Sequence, residues 1–253
     1  MTMETSLPRG ILLEDEEVTD LLRRGYRILQ KKDGFRFGID AVLLAWFAGT
    51  VRPEDRVIDL GSGTGVIPLL MDARNGCGNY LGLEIDPRMA EMASRSALLN
   101  GVEERVRFME GDLKNVSESL GKGIFDVVTA NPPYRKAGTG KMSPDPWKAA
   151  ARHELLCTLE DVVREAAALL RDGGHFYMIH RAERLPEILS ELKRHGFATE
   201  KERPVCPAKG KEANLVLIGA VKGEGEALRT EESLYVYDGE GHYTQEILDI
   251  YRE

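Results

Sequence analysis

At 253 residues, 42% hydrophobic and 30% charged, the chain has the size and composition of one large α/β domain, or one domain with an extension, and not of a disordered protein. Its longest apolar stretch, Ala41 to Ala48, is far too short to cross a bilayer, and Glu14-Asp15-Glu16-Glu17 stands where a secretory signal carries basic and apolar residues. The formal charge of −8 excludes a generally basic nucleic-acid footprint but leaves room for a local one.

Two basic clusters qualify: Arg23, Arg24, Arg27, Lys31, Lys32 and Arg36, then Arg135, Lys136, Lys141, Lys148 and Arg152. Either cluster alone reads as a solvated face. Cys77, Cys157 and Cys206 are dispersed, odd in number and free of a C-x-x-C spacing, which points to a reducing cytoplasm and to no structural metal. The five histidines do not fall at metal-ligand spacings either.

In chain order, residues from Met1 to about Thr19 read as a polar, acidic lead-in. Thr19 to Lys32 has room for a short helix followed by a strand in which Tyr26, Ile28 and Gln30 alternate. Lys32-Asp33-Gly34 is a turn, and Asp40 stands at the N-cap position of an all-round apolar, buried helix from Ala41 to Ala48. Arg56 to Leu60 is a strand that runs into Gly61-Ser62-Gly63-Thr64-Gly65, and Val66 to Ala73 is a helix. A second strand ends at Glu84-Ile85, and Asp86-Pro87 opens a helix from Arg88 to Asn100. A third strand, Val106 to Glu110, ends in Gly111-Asp112-Leu113, with a helix from about Leu113 to Leu120.

Phe125 to Ala130 is a fourth strand and stops at Asn131-Pro132-Pro133-Tyr134, because proline cannot continue a ladder. After a polar insertion come a helix from Leu159 to Leu170, a turn at Arg171-Asp172-Gly173-Gly174, and a fifth strand from His175 to Ile179. A helix from Leu185 to His195 and two strand-like runs, Thr199 to Val205 and Ala213 to Val221, complete the pattern. Strand and helix alternate as in a doubly wound parallel sheet with antiparallel strands at one edge. Residues 223–253 change composition, and sequence does not choose between a tail packed on the domain and a substrate-side arm.

Ligands of open α/β sheets bind beyond the carboxyl ends of the strands, where Gly61 to Gly65, Glu84, Asp112 and Asn131 to Tyr134 all fall. The glycine spacing departs from G-x-G-x-x-G, with Val66 at the third-glycine position, and Asp59 opposes a pyrophosphate but favours an ammonium group. S-adenosylmethionine, with an α-amino group, a sulfonium and no phosphate, suits this loop better than a dinucleotide. Glu84 can accept both ribose hydroxyls, and Asp112 can accept from an adenine amino group beside a donating backbone N–H. Each carboxylate alone reads equally as a helix-capping loop residue.

Together these residues resemble the class I S-adenosylmethionine-dependent methyltransferases, and Asn131-Pro132-Pro133-Tyr134 resembles the motif of their amino-methylating branch. The resemblance implies a Rossmann-like fold: a seven-stranded, mostly parallel sheet with helices on both faces. Nearly the whole chain is similar to bacterial tRNA (adenine-N6)-methyltransferases that act on tRNA-Val beside the anticodon. The block Gln30 to Ala45 resembles that group's N-terminal segment, which implies that Arg36, Phe37 and Asp40 flank the methionine end of the cofactor; Tyr243-Thr244-Gln245-Glu246 is similar to its C-terminal tail.

The implied cofactor residues are then Arg36, Phe37, Asp40, Asp59, Gly61, Ser62, Gly63, Gly65, Glu84, Ile85, Asp112, Leu113 and Asn131. The implied catalytic motif is Asn131, Pro132, Pro133 and Tyr134, with Tyr134, Arg135, Lys136 and Lys141 on the substrate side and no metal. Asn131 and the Pro132 carbonyl would accept the two N–H bonds of the target amino group, and Tyr134 would stack on the flipped-out base.

The expected partner is tRNA, with no membrane; the expected state is a cytoplasmic monomer or weak homodimer. Expected divisions are residues 1–34, 35–222 and 223–253: a flanking segment, the methyltransferase domain and a packed tail. The alternatives are a protein glutamine methyltransferase of the release-factor type, a DNA adenine methyltransferase, an NAD-dependent oxidoreductase and a non-catalytic RNA-binding module. The first lacks its helical substrate domain here, since only 58 residues precede Asp59, and the second its target-recognition domain. The third has the wrong glycine spacing, and no stacked-aromatic platform is evident for the fourth.

Overall fold

A computed structural model describes residues 10–33, 36–132 and 157–252. Seven strands form the expected sheet: β3 (Arg56–Leu60), β4 (Asn79–Glu84), β5 (Val106–Glu110), β6 (Phe125–Ala130), β7 (Leu170–Arg181), β8 (Phe197–Ala208) and β9 (Leu215–Lys222). Their spatial order is β5-β4-β3-β6-β7-β9-β8, parallel throughout except for β9, which runs antiparallel to both neighbours. Two short strands from the last residues, β10 (Arg229–Thr230) and β11 (Leu234–Tyr237), add in parallel to β8, so among the described residues the sheet has nine strands and not seven.

Successive side chains of a strand point to opposite faces, and the core divides accordingly. Val57, Val127 and Ile179 join one cluster with α1 (Ile39–Phe47) and α2 (Val66–Asn75). Ile58, Val128 and Met178 join another with α4 (Val116–Leu120), α5 (Leu159–Leu169) and α6 (Leu185–Arg194). Helices thus cover both faces. Helix starts follow local chemistry: Asp86 accepts from the Arg88 N–H at 3.0 Å ahead of α3 (Pro87–Leu99), and Thr158 and Asp161 form a capping box at α5.

The acidic lead-in and the short helix expected before Lys32 are replaced by an antiparallel hairpin, β1 (Glu16–Asp20) and β2 (Arg27–Lys31). Contacts distant in sequence explain the difference. Arg95 of α3 donates two bonds to the buried Glu16 carboxylate, at 2.6 and 2.8 Å, and Glu16 is only 2% exposed. The Asn100 amide pairs with both the N–H and the carbonyl of Arg27, at 2.8 and 2.7 Å, and Ser96 accepts from the Leu29 N–H. Ile28 and Leu29 are fully buried on opposite sides of β2, each stabilising the docked hairpin by roughly 1.5–3 kcal/mol.

Asp40 is not an N-cap: α1 begins at Ile39 after Gly38, and Asp40 lies in its first turn. The expected turn at Arg171–Gly174 is a bulge inside β7, where the register with β6 shifts between Phe125 and Val127. The helix expected from Leu113 is confined to Val116–Leu120, because Asn115 adopts a left-handed conformation just ahead of it.

Residues beyond Lys222 fold back on the same core. Leu234, Ile247 and Ile250 are buried in the cluster that contains α1, and α7 (Gln245–Arg252) packs on α1. Tyr237, Tyr243 and Tyr251 stack at ring-centroid separations of 5.4 and 5.8 Å. No aromatic stack was legible here, because a strand, a loop and a helix each supply one ring.

Candidate active site

The carboxyl ends of β5, β4, β3 and β6 lie side by side, so the loops that leave them converge on one rim of the sheet. Register fixes their levels: Leu60 stands opposite Leu83 on one side and Ala130 on the other, and Asp59 opposite Gly82 and Thr129. Gly61 and Asn131 therefore leave adjacent strands at the same height, one residue past a matched pair.

The glycine loop is tied to β4. Gly61 and Ser62 both donate their N–H groups to the Leu83 carbonyl at 2.9 Å, and Gly63 donates to Glu84 Oε2 at 2.8 Å. The other Glu84 oxygen accepts from the Asp86 N–H at 2.9 Å. Burial raises the Glu84 pKa, and these backbone donors oppose the rise. Gly65, at φ 82°, opens α2 without a side-chain cap, and a Cβ there would meet Phe108 Cζ at 2.5 Å. Gly61 and Gly63 face open space instead, so the loop is closed toward Phe108 and open toward the rim.

Asp59 is 1% exposed. Its Oδ1 accepts from the Thr129 hydroxyl at 2.7 Å; among the described residues its Oδ2 and the neighbouring buried Ser62 Oγ have no hydrogen-bond partner. Burial pushes its pKa up to about 6; the Thr129 and Ser62 hydroxyls pull against that, and the Glu84 charge adds to it. The Ser62 hydroxyl is thus near enough to favour the carboxylate without bonding geometry. An unpartnered carboxylate oxygen at the root of a glycine loop fits a cationic N–H donor and opposes a phosphate.

Asp59 belongs to a row that crosses the sheet on one face: Phe108, Gly82, Asp59, Thr129, Tyr177, Gly219 and Lys201 are successive partners on neighbouring strands. Gly82 leaves room for Phe108, whose Cδ1 would lie 2.3 Å from a Cβ there. Thr129, Phe108 and Gly82 were not singled out in the sequence. The available signals were a hydroxyl inside a buried strand and a glycine inside another.

Other expected residues are placed less centrally. Asp112 is exposed and accepts from the Lys114 N–H at 2.9 Å, while Gly111 donates to the Glu84 carbonyl and so brings that loop to the same rim. Ile85 and Leu113 are half-buried beside it. Arg36 pairs with Glu17 of the hairpin at 2.5 Å, and Phe37 donates its N–H to Gln30 Oε1 at 3.2 Å. Asp40 is close enough to Tyr251 to raise its pKa, after the larger effects of burial and Tyr243. Pro132 is buried next to Asn131; Pro133, Tyr134, Arg135, Lys136 and Lys141 lie outside the described residues.

Comparison with known proteins agrees with this arrangement. A family profile described as a methyltransferase domain matches residues 52–232. The tRNA1(Val) (adenine(37)-N6)-methyltransferase of Porphyromonas gingivalis is 29% identical over 223 residues, covering 85% of this chain and 86% of that protein. The enzyme of the same name from Bacteroides thetaiotaomicron is 28% identical, covering 85% and 90%. Among solved structures, a predicted O-methyltransferase from Agrobacterium tumefaciens superposes with a TM-score of 0.69 at 26% identity, covering 84% of this chain and 95% of that one. With a profile that spans β3 to β10 and a sheet of matching order, the chain belongs to the methyltransferase-domain family and has the class I α/β fold.

Proposed function

We propose that the protein methylates the exocyclic N6 amino group of an adenine in tRNA, using S-adenosylmethionine in the cytoplasm, and that the target is tRNA-Val at the adenine beside the anticodon. The observation that carries this reading is the register between β3 and β6, which sets the open glycine loop and Asn131 at one level of one rim. The names of the two relatives, similar over most of the chain, support the choice of substrate.

When bound, S-adenosylmethionine supplies a methyl group on an electrophilic sulfonium. The chain's part is recognition and alignment. Asp59 and the glycine-loop backbone receive the amino-acid end, flanked by Arg36, Phe37 and Asp40, with Ser62 and Gly65 shaping the turn. Glu84, already oriented by two backbone donors, retains acceptor capacity for ribose hydroxyls. Ile85 and Leu113 line the adenine, and Asp112 accepts from its amino group. An exocyclic amino group is a weak nucleophile because its lone pair is delocalised into the ring. Asn131 Oδ1 and the Pro132 carbonyl accept its two N–H bonds, localise the lone pair and direct it. Pro133 stiffens the turn, Tyr134 stacks on the base, and Arg135, Lys136 and Lys141 meet phosphates.

Residues 35–222 act as the methyltransferase domain, with 1–34 and 223–253 as flanking and packed segments. Incubation with labelled cofactor and, separately, bulk tRNA, a release factor and duplex DNA tests the assignment. Label in tRNA adenine is expected; label in the release factor with none in tRNA overturns it in favour of glutamine methylation.

A further inference from the structure

Thr129 is not among the cofactor residues named above, yet its hydroxyl donates to Asp59 Oδ1 at 2.7 Å. It comes from β6, the strand that delivers Asn131 two residues later, so one short strand carries both this bond and the acceptor motif. Thr129 is fully buried, as is Asp59, and the two face each other across the β3–β6 ladder. A hydroxyl held at 2.7 Å from Oδ1 leaves the carboxyl group one direction in which to present Oδ2. That oxygen, like the adjacent Ser62 Oγ, is buried and has no hydrogen-bond partner among the described residues, while the Cβ positions of Gly61 and Gly63 in the loop that follows look onto open space.

We propose that Thr129 is a positioning residue for cofactor recognition: its hydroxyl locks Asp59 so that the free carboxylate oxygen, beside Ser62, meets the ammonium group of the cofactor's amino-acid end. The assignment rests on the proposed S-adenosylmethionine site and adds to it a residue and a protonation requirement. Donation from Thr129 favours the charged carboxylate, and so does the Ser62 hydroxyl; Glu84, on the neighbouring strand, opposes it, and burial opposes it most. Elsewhere in its row Gly82 and Phe108 carry no charge, Tyr177 beyond Thr129 has its phenol pKa raised by burial, and the Lys201 ammonium stands at the far end. Helices α1 and α2, which cover this face, carry Asp40 and Asp72. Thr129 therefore does two things: it fixes a direction, and it keeps Asp59 ionised at a lower pH than burial alone would permit.

The test uses two ligands that differ at one end. S-adenosylhomocysteine carries the ammonium group, which stays charged between pH 5 and 7.5; 5′-methylthioadenosine lacks the amino-acid end. Dissociation constants of both are measured by titration calorimetry across that range. For the unaltered protein, S-adenosylhomocysteine affinity is expected to fall about tenfold per pH unit below about pH 6, in line with the Asp59 pKa of about 6, while methylthioadenosine affinity stays level. Thr129→Val, which keeps the shape and removes the hydroxyl, is expected to weaken S-adenosylhomocysteine binding about tenfold or more at pH 6 and to move the midpoint of its pH dependence upward, with methylthioadenosine changed less than twofold. Thr129→Ser is expected to restore the midpoint.

A structural role alone would weaken both ligands together and leave the midpoint in place, and that result overturns the proposal. So does a ratio of the two affinities that is flat with pH in the unaltered protein, a measurement that needs no variant to fold. Failure of the unaltered protein to bind either ligand at pH 7.5 would instead refute the cofactor assignment itself.

Discussion

Replacing Asp59 with Asn separates what its charge costs the fold from what it gives the site. Its pKa stands at about 6 in the folded protein against 3.8 for an ordinary aspartate, so the folded state holds the proton more tightly than the unfolded one. The associated stability is fully present below the unfolded value and is lost as pH rises through about 6. A rise of that size is worth roughly 3 kcal/mol at neutral pH, of which about 2 kcal/mol develops between pH 4.5 and pH 8. Asn retains an oxygen for Thr129 and never ionises, but it buries an N–H₂ group at a cost of about 1 kcal/mol at every pH.

Urea unfolding of the ligand-free protein and of Asp59→Asn, at both pH values, gives the double difference in which that constant cost cancels. The variant is expected to gain about 2 kcal/mol relative to the unaltered protein on going from pH 4.5 to pH 8, and to lose S-adenosylhomocysteine affinity at pH 8. A double difference near zero would mean that Asp59 is not held in a desolvated, proton-retaining site. Asp59 would then impose no pH-dependent cost on the fold, whatever happens to binding.

Three further outcomes are expected. Asn131→Ala should lower the transfer rate about a hundredfold or more while S-adenosylhomocysteine binding changes little, since the lost group acts on the acceptor; equal loss of binding would make Asn131 a structural residue. Neutralising Arg135, Lys136 and Lys141 together should flatten the salt dependence of tRNA affinity by roughly two units of logarithmic slope, and an unchanged slope would return them to ordinary surface charges. Arg105→Met removes the guanidinium that bonds Asp72 at 2.6 and 3.0 Å, leaving a fully buried carboxylate with the Tyr26 hydroxyl, so unfolding free energy should drop by about 3–5 kcal/mol near pH 7. A loss below about 1 kcal/mol would place Asp72 in contact with solvent.

The central strands and the rim were legible because their signals are local: apolar runs of five or six residues, each ended by glycine, proline or an acid. The hairpin was not, since Glu16 is buried only because Arg95 reaches it from a helix 79 residues away. Read locally, a run of four acids has every mark of a solvated lead-in. The N-cap was expected two residues too late, at Asp40, because Gly38, with no side chain to cap with, is where the helix opens. The tail strands β10 and β11 depend on an edge that β8 supplies, and no periodicity in a two- or four-residue segment announces that. In the candidate site, the sequence drew attention to the residues with obvious chemistry and not to the ones packed and bonded against them. Thr129 is a single hydroxyl within one apolar strand and Gly82 a single glycine within another, and neither announces a partner across the sheet.

Phe108, Gly82 and Gly65 bear on the order in which substitutions can accumulate. A methyl group at Gly82 collides with the Phe108 ring at 2.3 Å and one at Gly65 collides with it at 2.5 Å, so neither glycine can change while the ring remains. A smaller residue at 108 would take the ring away from Gly82 but leave the Ser62 hydroxyl 2.6 Å from a Cβ there, and it would not free Gly65, whose backbone is left-handed at φ 82° whatever lies beside it. The route away from this packing therefore runs in one direction: position 108 shrinks and Ser62 turns its hydroxyl aside before position 82 fills, and position 65 stays glycine. Relatives that carry a side chain at the equivalent of 82 should carry a smaller one at 108, and the reverse combination should not fold.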